Sequence, residues 1–200
     1  MAGESDRALI LPVFDPPPRV LIVTSPYYGD VATALETGAR AVLERAEAHI
    51  DILAVPGALE IPGAIRTALR HFDGFVALGC VIRGETAHFD IVAGESARGL
   101  MALTLQGHAV GNGILTVENL AQALVRARDQ DKGGGAAEAA LHLIAAARRF
   151  RTHPTPNVPS PERAAPDILI ADAPQAGSGG NLGGKPSDKA DGKPSRGDVA

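Results

Sequence analysis

Residues 81–90 read VIRGETAHFD, which brings an arginine, a glycine, a carboxylate, a hydroxyl and an imidazole into one short stretch. An apolar run, FVALGC (75–80), leads straight into it. Backbone N–H groups that open a helix lack internal partners and carry partial positive charge, so they bind anions. Gly84 would let such a backbone approach a ligand closely, and Thr86 adds a hydroxyl donor. Arg83-Gly84-Glu85-Thr86 therefore fits a phosphate cradle. It fits an ordinary loop with an N-cap threonine equally well. His88 follows, and an imidazole exchanges protons near neutrality, which makes it a candidate acid or base. Asp90 is two residues further on, and residues two apart on a helix do not face each other.

Glu60, after the turn Pro56-Gly57-Ala58-Leu59, could accept hydrogen bonds from a polyol or an amine. It could equally be a first-turn glutamate favoured by the helix dipole. Asn112 and Arg126 each carry the same pair of readings, a ligand role and a structural one. Cys80 reads as a small core residue at a strand end. His49, His71, His108, His142 and His153 have no comparable setting. No histidine pair has metal-ligand spacing, and the Walker, H-E-x-x-H and G-x-S-x-G patterns are missing. After the first strand the chain reads TSPYYGD where a dinucleotide-binding protein would carry its glycine fingerprint.

The elements that must position these residues alternate. VLIVT (20–24), IDILAV (50–55), a run within 72–82 and HAVGNGILT (108–116) read as strands, the last weakened by its glycines. Helices fit from Asp30, a candidate N-cap, to about Glu47, and over 61–70, 89–105, 118–128 and 135–149. Lys132-Gly133-Gly134-Gly135 separates the last two. Alternating strands and helices predict a three-layer α/β/α fold around a four-stranded parallel sheet, flavodoxin-like. Ligands in such folds bind outside the carboxyl ends of the strands. That rule selects 25–29, 56–60, 80–88 and 112–117.

The 200 residues suffice for one domain with a sizeable core and a remainder. Arg19 to Phe150 reads as that domain, after an N-terminal arm (1–18) expected to be flexible. From Arg151 onward the chain is rich in Pro, Gly, Ser, Asp and Lys and is expected to be disordered, with DILIA (167–171) its apolar island. A net charge of −4 argues against a protein that coats nucleic acid. One cysteine permits no intrachain disulfide. No apolar run is long enough to span a membrane, and MAGESDRALILPVF does not resemble a secretory signal. A soluble cytoplasmic protein is expected.

Three segments carry a resemblance. VPGALEIPGA (55–64), ALGCVIRGETAHFDIV (77–92), and NGILTVENLAQALVRA (112–127) with DKGGGAA (131–137) resemble the 6,7-dimethyl-8-ribityllumazine synthase family. The resemblance covers about residues 19–149. It implies condensation of 5-amino-6-(D-ribitylamino)uracil with 3,4-dihydroxy-2-butanone 4-phosphate, releasing phosphate and water, with no metal or organic cofactor. It also implies roles by position. His88 matches the proton-transfer histidine, while Glu85 and Thr86 match the phosphate turn. Arg126 pairs with that phosphate, and Lys132 lies near it. Ala58, Leu59 and Glu60 match the ribitylaminouracil site, with Glu60 meeting the ribityl hydroxyls. Cys80, Val81 and Ile82 hold the pyrimidine through main chain, and Tyr27 stacks on the heterocycle. Asn112 stands where relatives carry phenylalanine, and Pro26-Tyr27 where many carry Arg-Phe.

The resemblance further implies sites between adjacent subunits of a pentamer, which in some relatives builds a 60-subunit shell. Pro16-Pro17-Pro18 would hinder pairing of an N-terminal strand with a neighbour, and ARDQDKGGG lacks the stretch typical of shell formers. A free pentamer is the expectation. A non-catalytic lumazine- or flavin-binding scaffold of the same fold is the alternative, set against the complete set Glu60, Thr86, His88 and Arg126. A receiver-like signalling domain needs acidic residues at the first strand end, where TSPYY stands instead.

Overall fold

The computed structural model describes residues 9–151. Four strands, β1 (Arg19–Thr24), β2 (His49–Ala54), β3 (Gly74–Ile82) and β4 (Ala109–Val117), form one parallel sheet in the order β2-β1-β3-β4. The helices are α1 (Gly29–Arg45), α2 (Glu60–Ala68), α3 (His88–Leu105), α4 (Leu120–Leu124) and α5 (Lys132–Arg151). A five-residue π-helical turn (Val125–Asp129) follows α4. The expected α/β/α architecture is the one observed.

The central strands form because they are apolar on both faces, as strands covered by helices on either side must be. Val20 and Ile22 of β1 pack with Val76 and Leu78 of β3 under Val31, Leu35 and Leu43 of α1 and Leu141 and Ile144 of α5. Leu21 and Val23, with Phe75 and Ala77, pack on the opposite face with Ile61 and Ile65 of α2 and Leu100 and Leu103 of α3. α1 is a helix because Val31, Leu35, Ala39, Val42 and Leu43 fall on one face at helical spacing, and all of them are buried.

Three local expectations change. Asp30 lies in the first turn of α1, not at its cap, and the cap position is Tyr28 with no side-chain cap bond. α5 begins at Lys132, so the glycine run 133–135 is not a linker between helices. β4 continues to Val117, which puts Asn112 in mid-strand, paired with Ala77, and not at a strand end.

The glycines explain the last two. A Cβ on Gly133 would sit 2.0 Å from the Leu35 carbonyl oxygen of α1. One on Gly111 would sit 1.9 Å from the Ala136 carbonyl oxygen of α5. Backbone meets backbone at both places, and only a missing side chain allows it. The glycines that weaken β4 and interrupt α5 in the sequence are what let α5 press closely against both α1 and the sheet.

Part of the expected arm lies against the domain, while Leu9, Ile10 and Val13 stand exposed. Leu11 and Phe14 pack on the α1/α5 core, the Arg148 guanidinium lies 5.2 Å from the Phe14 ring centroid, and Arg148 donates to the Pro16 carbonyl at 2.6 Å. The 151–200 tail, its DILIA segment included, falls outside the described residues except for Arg151, the last residue of α5.

Candidate active site

Strand order reverses between β1 and β3, and at that switch point an open parallel sheet leaves a crevice past its strand ends. Hydrogen bonds fix the rim. Ser25 donates its N–H to Leu78 O at 2.9 Å, Val55 donates to Thr24 O at 2.9 Å, and the Ser25 hydroxyl donates to Pro56 O at 3.4 Å. The segments following β1 and β2 are thereby held to each other and to β3.

A cleft of about 440 Å³ opens there, in the range typical of small-ligand sites. Tyr27, Ala58, Leu59, Glu60, Cys80, Val81, Ile82, Thr86 and His88 all line it, drawn from three separate parts of the chain. Tyr27 is three-quarters exposed and meets Tyr28 edge to face at 5.0 Å, leaving a ring face free for stacking. Glu60 opens α2, its N–H donating to Gly57 O at 3.3 Å while its carboxylate folds back over Gly57. Thr86 accepts from the His88 N–H at 3.4 Å, so the turn feeds directly into the first turn of α3. Burial raises the Cys80 thiol to about 11, so it stays protonated and is no nucleophile near neutrality. The Tyr28 phenol is also raised, first by burial and then by the nearby Tyr27 and Cys80.

Glu85 is exposed and does not line this cleft, although both neighbours Gly84 and Thr86 do. Asn112, Arg126 and Lys132 are not there either. They line a second cleft of about 480 Å³ along the outer strand β4, against the π-helical turn and the start of α5. The two clefts share no lining residue. In the second, Asn112 Oδ1 accepts from the Ile114 N–H at 2.9 Å. Arg126 donates to the Gln122 carbonyl at 3.1 Å, which holds its guanidinium against its own helix. Asn119 caps α4 by accepting from the Gln122 N–H at 3.0 Å.

Phe89 and Val92 also line the first cleft, and Ile114 and Thr116 the second, with no role foreseen for any of them. Val92 stands four residues after His88, so helical spacing from the imidazole was the available signal for it, whereas Phe89, one residue on, had none. Among the described residues no three His, Cys, Asp or Glu side chains gather as a metal site would require, and no helix is long and apolar enough to cross a membrane.

A family model described as 6,7-dimethyl-8-ribityllumazine synthase matches residues 17–148. The chain belongs to that family. It is accordingly a transferase of riboflavin biosynthesis. The 6,7-dimethyl-8-ribityllumazine synthase of Jannaschia sp. is 53% identical over 154 residues, covering 75% of this chain and 86% of the relative. That of Novosphingobium aromaticivorans is 57% identical over 136 residues, 66% of this chain and 98% of the relative. That of Bartonella henselae is 57% identical over 139 residues, covering 66% and 90%. The matched region takes in the residues that line both clefts.

Proposed function

We propose that the working site of this lumazine synthase forms between two copies of the chain, the first cleft from one and the second from its neighbour. The reaction condenses 5-amino-6-(D-ribitylamino)uracil with 3,4-dihydroxy-2-butanone 4-phosphate to 6,7-dimethyl-8-ribityllumazine, releasing phosphate and water. The observation that carries the shared site is the division of the candidate residues. His88 and Thr86 line one cleft, Arg126 and Lys132 the other, and no residue lines both.

In this reading the pyrimidine lies against the main chain of Cys80, Val81 and Ile82 and under the Tyr27 ring. Glu60 accepts from the ribityl hydroxyls, with Ala58 and Leu59 shaping the wall. The phosphate sits on the 84–87 turn, where Thr86 donates its hydroxyl and Glu85 contributes backbone alone. Arg126 of the neighbouring copy closes on the phosphate with a planar two-pronged donor, and Lys132 adds charge. Asn112 of that copy faces the same space with an amide.

The primary amine of the uracil condenses with the ketone carbon and expels one water. Loss of a proton and breaking of the carbon–oxygen bond then eliminate phosphate. The resulting enol becomes a carbonyl, and the ribityl-bearing nitrogen closes the ring on that carbonyl with loss of a second water. His88 takes and returns protons during these steps. Orientation alone can remove about 7–11 kcal/mol of barrier, so one imidazole, one guanidinium and backbone donors suffice. A ring of five copies of the 20.6 kDa chain, about 100 kDa, is the assembly we favour. A sedimenting particle near a megadalton would replace the ring with a closed shell. Mixing purified protein with both substrates and following lumazine absorbance tests the reaction; a rate equal to the spontaneous one overturns it.

A further inference from the structure

Arg83 begins the turn that carries Thr86, yet its side chain lines neither cleft. Its backbone N–H donates to Val117 O at 2.9 Å, which ties the end of β3 to the end of β4. Its Nε donates to the Glu118 carboxylate at 3.3 Å, and its Nη1 donates to Asp90 at 3.2 Å. The guanidinium carbon lies 4.0 Å from the Phe89 ring centroid. Phe89 and Asp90 belong to the first turn of α3, immediately beyond the 84–88 stretch. One planar group therefore grips both ends of the turn and anchors them to Glu118, the residue that follows β4.

The turn has little else to hold it. Residues 83–88 are all exposed, and a Cβ on Gly84 would meet nothing within 4 Å. An exposed ion pair alone contributes little to stability. A guanidinium fixed by two carboxylates and stacked on a ring has instead given up its freedom during folding, and can hold geometry ready for a ligand.

We infer that Arg83 is a positioning residue of the reaction: through Asp90, Phe89 and Glu118 it sets the shape of the 84–88 turn that receives the phosphate. The inference rests on the reading of that turn as the phosphate site. Lysine cannot replace it, because one ammonium cannot bridge two carboxylates while lying flat on a ring.

The rival role, direct contact of Arg83 with phosphate, predicts the opposite sign in one variant. Asp90→Asn with Glu118→Gln keeps the Arg83 charge, removes two negative charges from the neighbourhood, and weakens the grip. Steady-state kinetics on the assembled protein are measured for wild type, Arg83→Ala, Arg83→Lys and this double variant. Positioning predicts that Arg83→Ala raises KM for the phosphorylated ketone about tenfold and leaves KM for the aminouracil within about twofold. Arg83→Lys should fail to restore it, and the double variant should raise the same KM about threefold despite its less negative surroundings. An unchanged or lowered KM in the double variant overturns the inference, as does an equal rise in both KM values for Arg83→Ala. Should Arg83→Ala fail to fold, the double variant decides alone. Wild type that gives no enhancement overturns the proposed function and this inference with it; active wild type with unaltered variants overturns the positioning role only.

Discussion

Replacing Gly133 by alanine puts a methyl group where α5 presses on α1. The added Cβ would lie 2.0 Å from the Leu35 carbonyl oxygen, 2.7 Å from its carbon and 2.8 Å from its Cα. Those atoms are backbone within a helix whose Leu35 is fully buried, so no side chain can turn aside. The two helices must separate by about 1 Å, and overpacking of that kind costs about 1–3 kcal/mol, here towards the upper end. Alanine's better helix propensity returns at most about 1 kcal/mol. A net loss of about 2 kcal/mol should lower the urea midpoint by about 1 M, read at fixed protein concentration. Gly135→Ala is the internal control. Nothing lies within 4 Å of its added Cβ, the position is exposed, and α5 should gain a few tenths to about 1 kcal/mol. Equal midpoints for Gly133→Ala and wild type would refute the account of the glycine run as a packing device. A drop for Gly135→Ala with none for Gly133→Ala would reverse it.

His88→Ala should lower kcat about a hundredfold, the usual scale for losing a general acid or base, while the sedimentation coefficient stays the same; full activity would remove His88 from the proton transfers. Arg126→Ala should raise KM for the phosphorylated ketone about tenfold and leave KM for the aminouracil nearly unchanged. With its thiol at about 11, Cys80 is ionised in only about one molecule per thousand at pH 8. Its alkylation by iodoacetamide should therefore climb about tenfold per pH unit from 8 towards 11. A rate that levels off near pH 9 would show that burial does not hold the proton. The sign also bears on stability: the folded thiol keeps its proton above the ordinary value of 9.0, so this group destabilises the fold as pH rises from there to about 11.

The strands and α1 were legible because burial on both faces or on one helical stripe leaves a local pattern, as in VLIVT and in Val31, Leu35, Ala39 and Val42. Gly111 and Gly133 misled for a physical reason. Glycine marks a loop when its backbone must bend, and it marks a close approach when a distant segment must come near. The sequence near it does not separate the two cases. The site residues after β1, β2 and β3 were readable as strand ends, and the structure gathers most of them in one cleft. Asn112 was placed at a strand end, but β4 extends five residues beyond it. It lines the second cleft together with Ile114 and Thr116 of the same outer strand. Arg83 looked like part of the anion turn, whereas its contacts run to Glu118, thirty-five positions away along the chain.

The central claim is that each chain carries two halves of different sites. Co-expression of His88→Ala and Arg126→Ala chains at equal levels, followed by the lumazine-forming assay on the mixed assembly with the phosphorylated ketone well below its wild-type KM, where the Arg126→Ala defect is fully expressed, tests it most directly. In a shared site, an Arg126→Ala copy supplies an intact His88 cleft and a His88→Ala neighbour an intact Arg126 cleft. Random assembly then makes about a quarter of the sites wild type, and about a quarter of wild-type turnover should return. Activity no greater than the average of the two variants measured separately would place the whole site within one chain and contradict the account.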